Sequence, residues 1–216
     1  MRKLTLGLAA ASLAALTIGT LHAQQGTPRQ LPGAMDVSRA QAGTYAVDPN
    51  HTLVGWRVNH FGFNDYFGIF GGSTGTLTID PAAPENAKVD ITIPVASVTT
   101  ANAALTGHLL KPAGESGKAD FFGADPAPAH FVSTSVMPQG TKAMIHGDLT
   151  LNGVTKPVVI DAEFTGAGNA MMPPRKLTLG FEGTTTIKRS DFGIGFGIPM
   201  VSDEVELDIT AAFEKQ

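Results

Sequence analysis

The side chains of this chain that could do chemistry are few and poorly assembled. Six histidines are present, and His22 lies in an apolar N-terminal stretch. The other five, His51, His60, His108, His130 and His146, are scattered, and no two share the short spacing of a metal motif such as HExxH. The chain has no cysteine, so a thiolate nucleophile and a thiolate metal site are both excluded. Gly71 to Gly75 (GGSTG) has the letters of GxSxG but runs into the alternating stretch TLTID rather than a helix, so it is no nucleophile elbow, and no phosphate-binding P-loop or GxGxxG following a strand occurs. The glycine-rich run Gly193 to Gly197 (GIGFG) lacks a lysine and a following helix, which argues against a phosphate cradle. The carboxylates are spread over turns and outer faces, and nothing selects an acid/base pair. His51, His130 and His146 fall on outward positions of alternating runs. That leaves His60 and His108, imidazoles associated with apolar segments, which can donate to and accept from a polar head group or cap a backbone group.

The elements that would position them are strands. In HTLVGWRVNHFGF, His51 to Phe63, the residues Thr52, Val54, Trp56, Val58 and His60 share one face. Leu53, Arg57 and Asn59 share the other. Short alternating runs of this kind recur from Tyr45 onward, divided by Gly, Pro, Asn and Asp, and point to an antiparallel barrel or sandwich of about eight strands. GDLTLNGVTKPVVIDAEF reads as a hairpin, because Asn152-Gly153 supplies the positive φ values of a type I′ turn. Ile145, Gly147, Leu149 and Leu151 share one face, opposed by Val158, Ile160, Ala162 and Phe164. Residues 99–110 (TTANAALTGHLL) form the best helical candidate, with Ala103, Leu105, Leu109 and Leu110 on roughly one side.

One apolar row per strand must converge on one interior. The sequence leaves open whether that interior is a packed core or a cavity. Inward Gly147, Ala162, Gly183 and Ala211 leave space; Trp56, Phe131, Phe164, Phe181 and Phe213 can fill it. If a cavity exists, the candidate lining from the strand rows is Val54, Trp56, Val58, Phe70, Phe131, Leu149 and Phe181. His60, His108 and Phe192 are the candidates near its ends. Arg189 and Asp191 are expected to bond loop backbone so that Phe192 closes one barrel end, with a head-group clamp as the alternative, since Arg suits phosphate.

The N-terminus carries Arg2 and Lys3 before an apolar, small-residue stretch, Leu4 to Leu21, and Ala23 is a plausible last residue before cleavage. Residues 1–23 are therefore read as a secretory signal peptide, with a single membrane anchor as the alternative. Residues 24–42 are polar with Pro and Gly and read as a flexible leader; residues 43–216 are the domain. The whole chain has 15 Lys and Arg against 19 Asp and Glu, a formal charge of −4; losing Arg2 and Lys3 takes it to −6. An acidic domain without a basic cluster argues against nucleic acid. The expected compartment is the periplasm.

Five segments together carry a resemblance: TYAVDPNHTLVGWRVNHFGF, FGIFGGSTGTLTID, ADFFGADPAPAHFVSTSV, GDLTLNGVTKPVVIDAEFTG, and IKRSDFGIGF followed by SDEVELDI. In this order they resemble the YceI-like family of periplasmic polyisoprenoid-binding proteins, over about Tyr45 to Lys215. The resemblance implies an all-β fold, an eight-stranded antiparallel lipocalin-like barrel with a short helical segment, that sequesters an isoprenoid or similar amphiphilic lipid and is not an enzyme. No cofactor is implied beyond a bound isoprenoid or quinone-like lipid. An alternative role is to present a quinone-type ligand to a membrane electron-transfer or stress-response system, through a transient membrane or membrane-protein contact. A homodimer is a further option. The chain departs from the family pattern in three places. Leu105, Thr106 and Gly107 stand where many members carry an Arg-Asp pair, residues 112–117 look inserted, and Trp56 replaces the usual phenylalanine.

Overall fold

The structure is a computed structural model that describes residues 30–115 and 117–216. The expected signal peptide and residues 24–29 of the leader lie outside the described residues. The described chain is dominated by antiparallel strands. They are β1 (Gly43–Val47), β2 (Leu53–His60), β3 (Asn64–Phe70), β4 (Thr74–Ile79) and β5 (Lys88–Ile93), then β6 (Ala129–Gln139), β7 (Lys142–Leu151), β8 (Val154–Asn169), β9 (Leu177–Lys188) and β10 (Glu204–Lys215).

These segments make eight staves, because two staves are each broken in the middle. β10 pairs with β1 near its end (Phe213 opposite Val47) and with β2 near its start (Ile209 opposite Val54). β1 and β2 therefore lie in tandem along one neighbour. β4 pairs with β1 and β3 with β2, so β3 and β4 form the next broken stave. The order then continues β5 to β10 and closes on β1, while the outer edge of β3 is met by an isolated bridge from Ile69 to Thr99. At the first break, residues 48–52, one side-chain bond and one backbone bond tie the chain to Ala212 of β10. Ala212 N donates to Thr52 Oγ1 at 3.1 Å, and Asp48 N donates to Ala212 O at 2.8 Å. Past the second break, Gly75 has φ +129°, and a Cβ there would collide with the carbonyl of Asp90. Only glycine allows the two backbones to approach so closely.

The turn at Asn152-Gly153 has the two positive φ values its residues implied, +51° and +76°. Between β5 and β6 lies the α-helix α1 (Ala103–Leu109), inside the expected 99–110. The Asn102 side chain caps it by accepting from Ala104 N and Leu105 N. Residues 31–42, assigned by the sequence to a flexible leader, lie along β8: Ala34 pairs with Ala167, and Gly168 has no room for a Cβ beneath the Pro32 carbonyl.

The interior is uneven along the barrel axis. At the end formed by the start of β1 and the end of β10, Tyr45, Leu77, Ala167, Leu179 and Phe213 pack into a closed core. Phe181 packs edge-on against both Phe164 and Phe213, with ring centroids 5.7 and 5.9 Å apart. At the other end, a second buried cluster around Val95, Phe131, Leu149, Ile187 and Phe192 forms a shell rather than a plug.

Candidate functional site

Inside that shell is a cavity of about 450 Å³, within the range of small-molecule sites. The inner face of β2 supplies Val54, Trp56, Val58 and His60; β3 adds Tyr66 and Phe70. Alternation puts them there, since every second residue of a strand points the same way. Val205 and Leu207 of β10 continue this wall beside β2, Leu149 and Leu151 of β7 line it from further round the barrel, and α1 contributes Leu105, His108 and Leu109. A smaller chamber of about 140 Å³ lies further down, lined by residues that include Phe131, Ile145, Ile160, Phe181 and Phe213. Val54 and Ile93 line both spaces, so the two meet there.

The main cavity opens where three loops meet. The β2–β3 turn brings Phe61, and the β9–β10 loop brings Phe196 and Met200. All three line the cavity and are about half exposed (51, 48 and 55 %). Phe63, at the tip of the turn, is almost wholly exposed. The two loops are tied together, since Phe61 N donates to Met200 O at 2.6 Å and Ser202 N donates to Asn59 O at 2.9 Å. Phe61 is held at φ +56°, a left-handed conformation unfavourable for an aromatic residue. A third loop, between α1 and β6, contributes Phe121. The rings of His108, Phe121 and Phe196 pack mutually edge-on at 5.3 to 5.5 Å, joining α1 to the other loops.

Polar groups on this wall are few and mostly committed. His108 Nε2 lies 2.9 Å from Asp120 Oδ2. The His60 ring packs edge-on against Phe61 at 4.5 Å. The Trp56 indole Nε1 is buried without a partner, its ring flat against Gly68 on the paired strand. Arg189, only 5 % exposed, turns its guanidinium into the β9–β10 loop. It donates to the carbonyls of Ser202 (2.8 Å), Ile194 (3.1 Å), Phe196 (2.8 Å) and Val201 (2.9 Å). Burial pushes its pKa down, and the nearby Asp203 carboxylate opposes that. Burial pushes Asp203 up, but bonds from the Ser190 hydroxyl and amide, with Arg189 and Lys188 nearby, outweigh it and hold Asp203 below the ordinary carboxyl value. Among the described residues no group of His, Asp or Glu is arranged to hold a metal ion.

A broader trough of about 960 Å³ lies on the outer face across β7 to β10, among Asp148, Asp161, Thr184, Thr186 and Asp208. Its charged, open wall suits water rather than an apolar chain.

The strand rows place most candidates as expected. Val54, Trp56, Val58, His60, Phe70, His108 and Leu149 line the main cavity, while Phe131 and Phe181 line the deeper chamber. Phe192 lines neither space; it is 1 % exposed and packed in the shell beneath the β9–β10 loop. Gly147 does not widen the interior, because the Phe131 ring already occupies the volume above it. Arg189 bonds loop backbone as expected, whereas Asp191 is exposed and Asp203 is the carboxylate that fastens the loop. Sequence reasoning missed Tyr66 on β3 and, in the loops, Phe61, Phe121, Phe122, Phe196 and Met200. For the loop residues the available signal was large apolar side chains in glycine- and proline-rich stretches, where a loop has no reason of its own to carry them.

The family model of the YceI-like domain matches residues 45–213. A UPF0312 protein of Ectopseudomonas mendocina is 40 % identical over 181 residues, covering 82 % of this chain and 90 % of its own. Among solved structures, Burkholderia cenocepacia BcnA is similar with a TM-score of 0.64 and 26 % identity, over 77 % of this chain and 98 % of its own. A Campylobacter jejuni YCEI protein is 33 % identical with a TM-score of 0.59, over 73 % and 90 % of the two chains. A polyisoprenoid binding domain from Saccharophagus degradans shares the fold at 16 % identity and a TM-score of 0.54, over 80 % and 98 %.

Proposed function

Since the chain belongs to the YceI-like domain family, we propose that it is an exported carrier that sequesters a long-chain isoprenoid or a similar amphiphilic lipid in its barrel. The observation that carries this reading is the apolar cavity of about 450 Å³ that opens through an apolar rim. Each methylene moved from water into such a space is worth about 0.8 kcal/mol. A chain threaded from the rim past Val58, Trp56 and Val54 toward the deeper chamber gains this repeatedly. The fold shared with the Saccharophagus polyisoprenoid binding domain supports the same class of ligand. Export rests on Arg2, Lys3 and the apolar stretch that follows. The exposed Phe61, Phe63 and Met200 are where a transient membrane contact would be made to exchange ligand.

The test is native mass spectrometry of protein purified from its own host, followed by lipid extraction. A stoichiometric apolar-tailed adduct is expected, together with a mature chain starting after about residue 23. Val58→Glu, which places a carboxylate in the cavity wall, should fold and lose the adduct, because water can enter a cavity around the charge but not a packed core. A wild type without adduct, and a Val58→Glu variant that does not fold, would together mean a solid interior and a function elsewhere.

A further inference from the structure

The polar groups of the cavity wall separate two kinds of amphiphile, those with a phosphorylated head and those with an uncharged one. Among the described lining residues, Arg189 is the one permanent cation. Four of its five N–H groups point at carbonyls of the β9–β10 loop, and Asp203 stands near its charge. A phosphate buried on this wall would have to strip those carbonyls of their donor or remain poorly paired, and a poorly paired buried anion is heavily penalised. The Asp203 carboxylate would repel it as well.

His108 presents a different chemistry. An ionised carboxylate can only accept, so at 2.9 Å from Asp120 Oδ2 the Nε2 atom carries the hydrogen. A neutral imidazole then has Nδ1 as its acceptor. The ring is fixed by Asp120 on one side and by the edges of Phe121 and Phe196 on others, and it lines the cavity near the mouth. Such a group accepts a hydroxyl hydrogen without any charge being buried. Resting on the reading of the barrel as a lipid carrier, we infer that it selects an uncharged amphiphile with a hydroxyl head, an isoprenoid alcohol or a quinol, held by His108 with Asp120 as its positioning residue, over the corresponding phosphate.

Trp56 is the chain's single tryptophan and lies in the cavity wall, so its fluorescence reports occupancy. Purified protein stripped of lipid is titrated with geranylgeraniol, its methyl ether and geranylgeranyl monophosphate, with calorimetry as a second readout. The alcohol is expected to bind at least tenfold tighter than either of the others. His108→Phe, which keeps an aromatic ring in the cluster, should remove the preference for alcohol over ether; Asp120→Asn should reduce it while leaving the thermal midpoint within a few degrees. Tighter binding of the phosphate, or a preference that survives His108→Phe in a folded variant, overturns the inference while leaving the carrier reading intact. Failure of all three probes to bind removes both.

Discussion

Two glycines offer a controlled comparison between a hollow and a filled interior. A methyl group at Gly68 would sit 2.7 Å from the Trp56 Nε1 and nearer still to two ring carbons. Ordinary contact needs about 3.5 to 4.0 Å, so the indole must retreat by roughly 1 Å or more. Trp56 also borders the cavity, so the ring has somewhere to go. A methyl at Gly147 meets the Phe131 ring and, at 2.6 Å, the carbonyl oxygen of Val132. That oxygen belongs to a hydrogen-bonded strand and cannot move independently. Overpacking costs about 1 to 3 kcal/mol, and replacing glycine returns about 0.4 to 1 kcal/mol through the unfolded chain. Gly68→Ala should therefore lie within about 1 kcal/mol of wild type, and Gly147→Ala should lose about 2 kcal/mol. In a domain of this size that is a fall in Tm of about 4 to 8 °C. Binding should rank the other way. An indole pushed into the cavity denies the ligand the burial of about two methylenes, on the order of 1.6 kcal/mol or more than tenfold in Kd. Thermal denaturation and titration of geranylgeraniol against Trp56 emission measure both quantities. Equal destabilisation of the two variants, or unchanged affinity in Gly68→Ala, would refute the claim that Trp56 borders free space.

Arg189→Ala should cost on the order of 3 kcal/mol, because four loop carbonyls lose a charged donor at once; urea denaturation, with hydrogen exchange at residues 194–203, would check it. Phe61→Asn should raise Tm by a few degrees by relieving a left-handed aromatic, which carries about 1 to 2 kcal/mol of strain, and should weaken lipid uptake, read by the same fluorescence titration. Acid should loosen the β9–β10 loop. The folded Asp203 pKa lies below its unfolded value, so its contribution is present above about pH 4 and is lost as pH falls through the depressed folded value. Asp203→Asn should flatten that part of a stability profile followed by circular dichroism.

What the sequence made legible was parity. A period of two follows from strand geometry, so alternation alone assigns Val54, Trp56, Val58 and Phe70 to the inside. Parity does not tell depth. Phe131, Phe181 and Phe192 all point inward from their segments, yet two line the deeper chamber and the third is sealed in the shell. Nor does parity show which neighbour fills a glycine's space, as Phe131 does above Gly147. The mouth was the least legible part. Phe61, Phe121 and Phe196 come from three loops with no shared period, and the tandem pairing of β1 and β2 along β10 is what closes the barrel beneath them.

The edge-to-face stack of Phe164, Phe181 and Phe213 acts as a depth stop. Phe181 and Phe213 of this stack line the deeper chamber, remote from the rim that meets the ligand first. Head selection and tail length are thereby set by different residues and can change independently. Replacing Phe181 with alanine would deepen the bore without altering any group at the opening. Moving the bulky side chain one inward position along its strand would shift the stop by roughly 7 Å, the length of two residues. A single substitution at the far end of the barrel would thus re-gauge which chain lengths fit while leaving the entrance as it is.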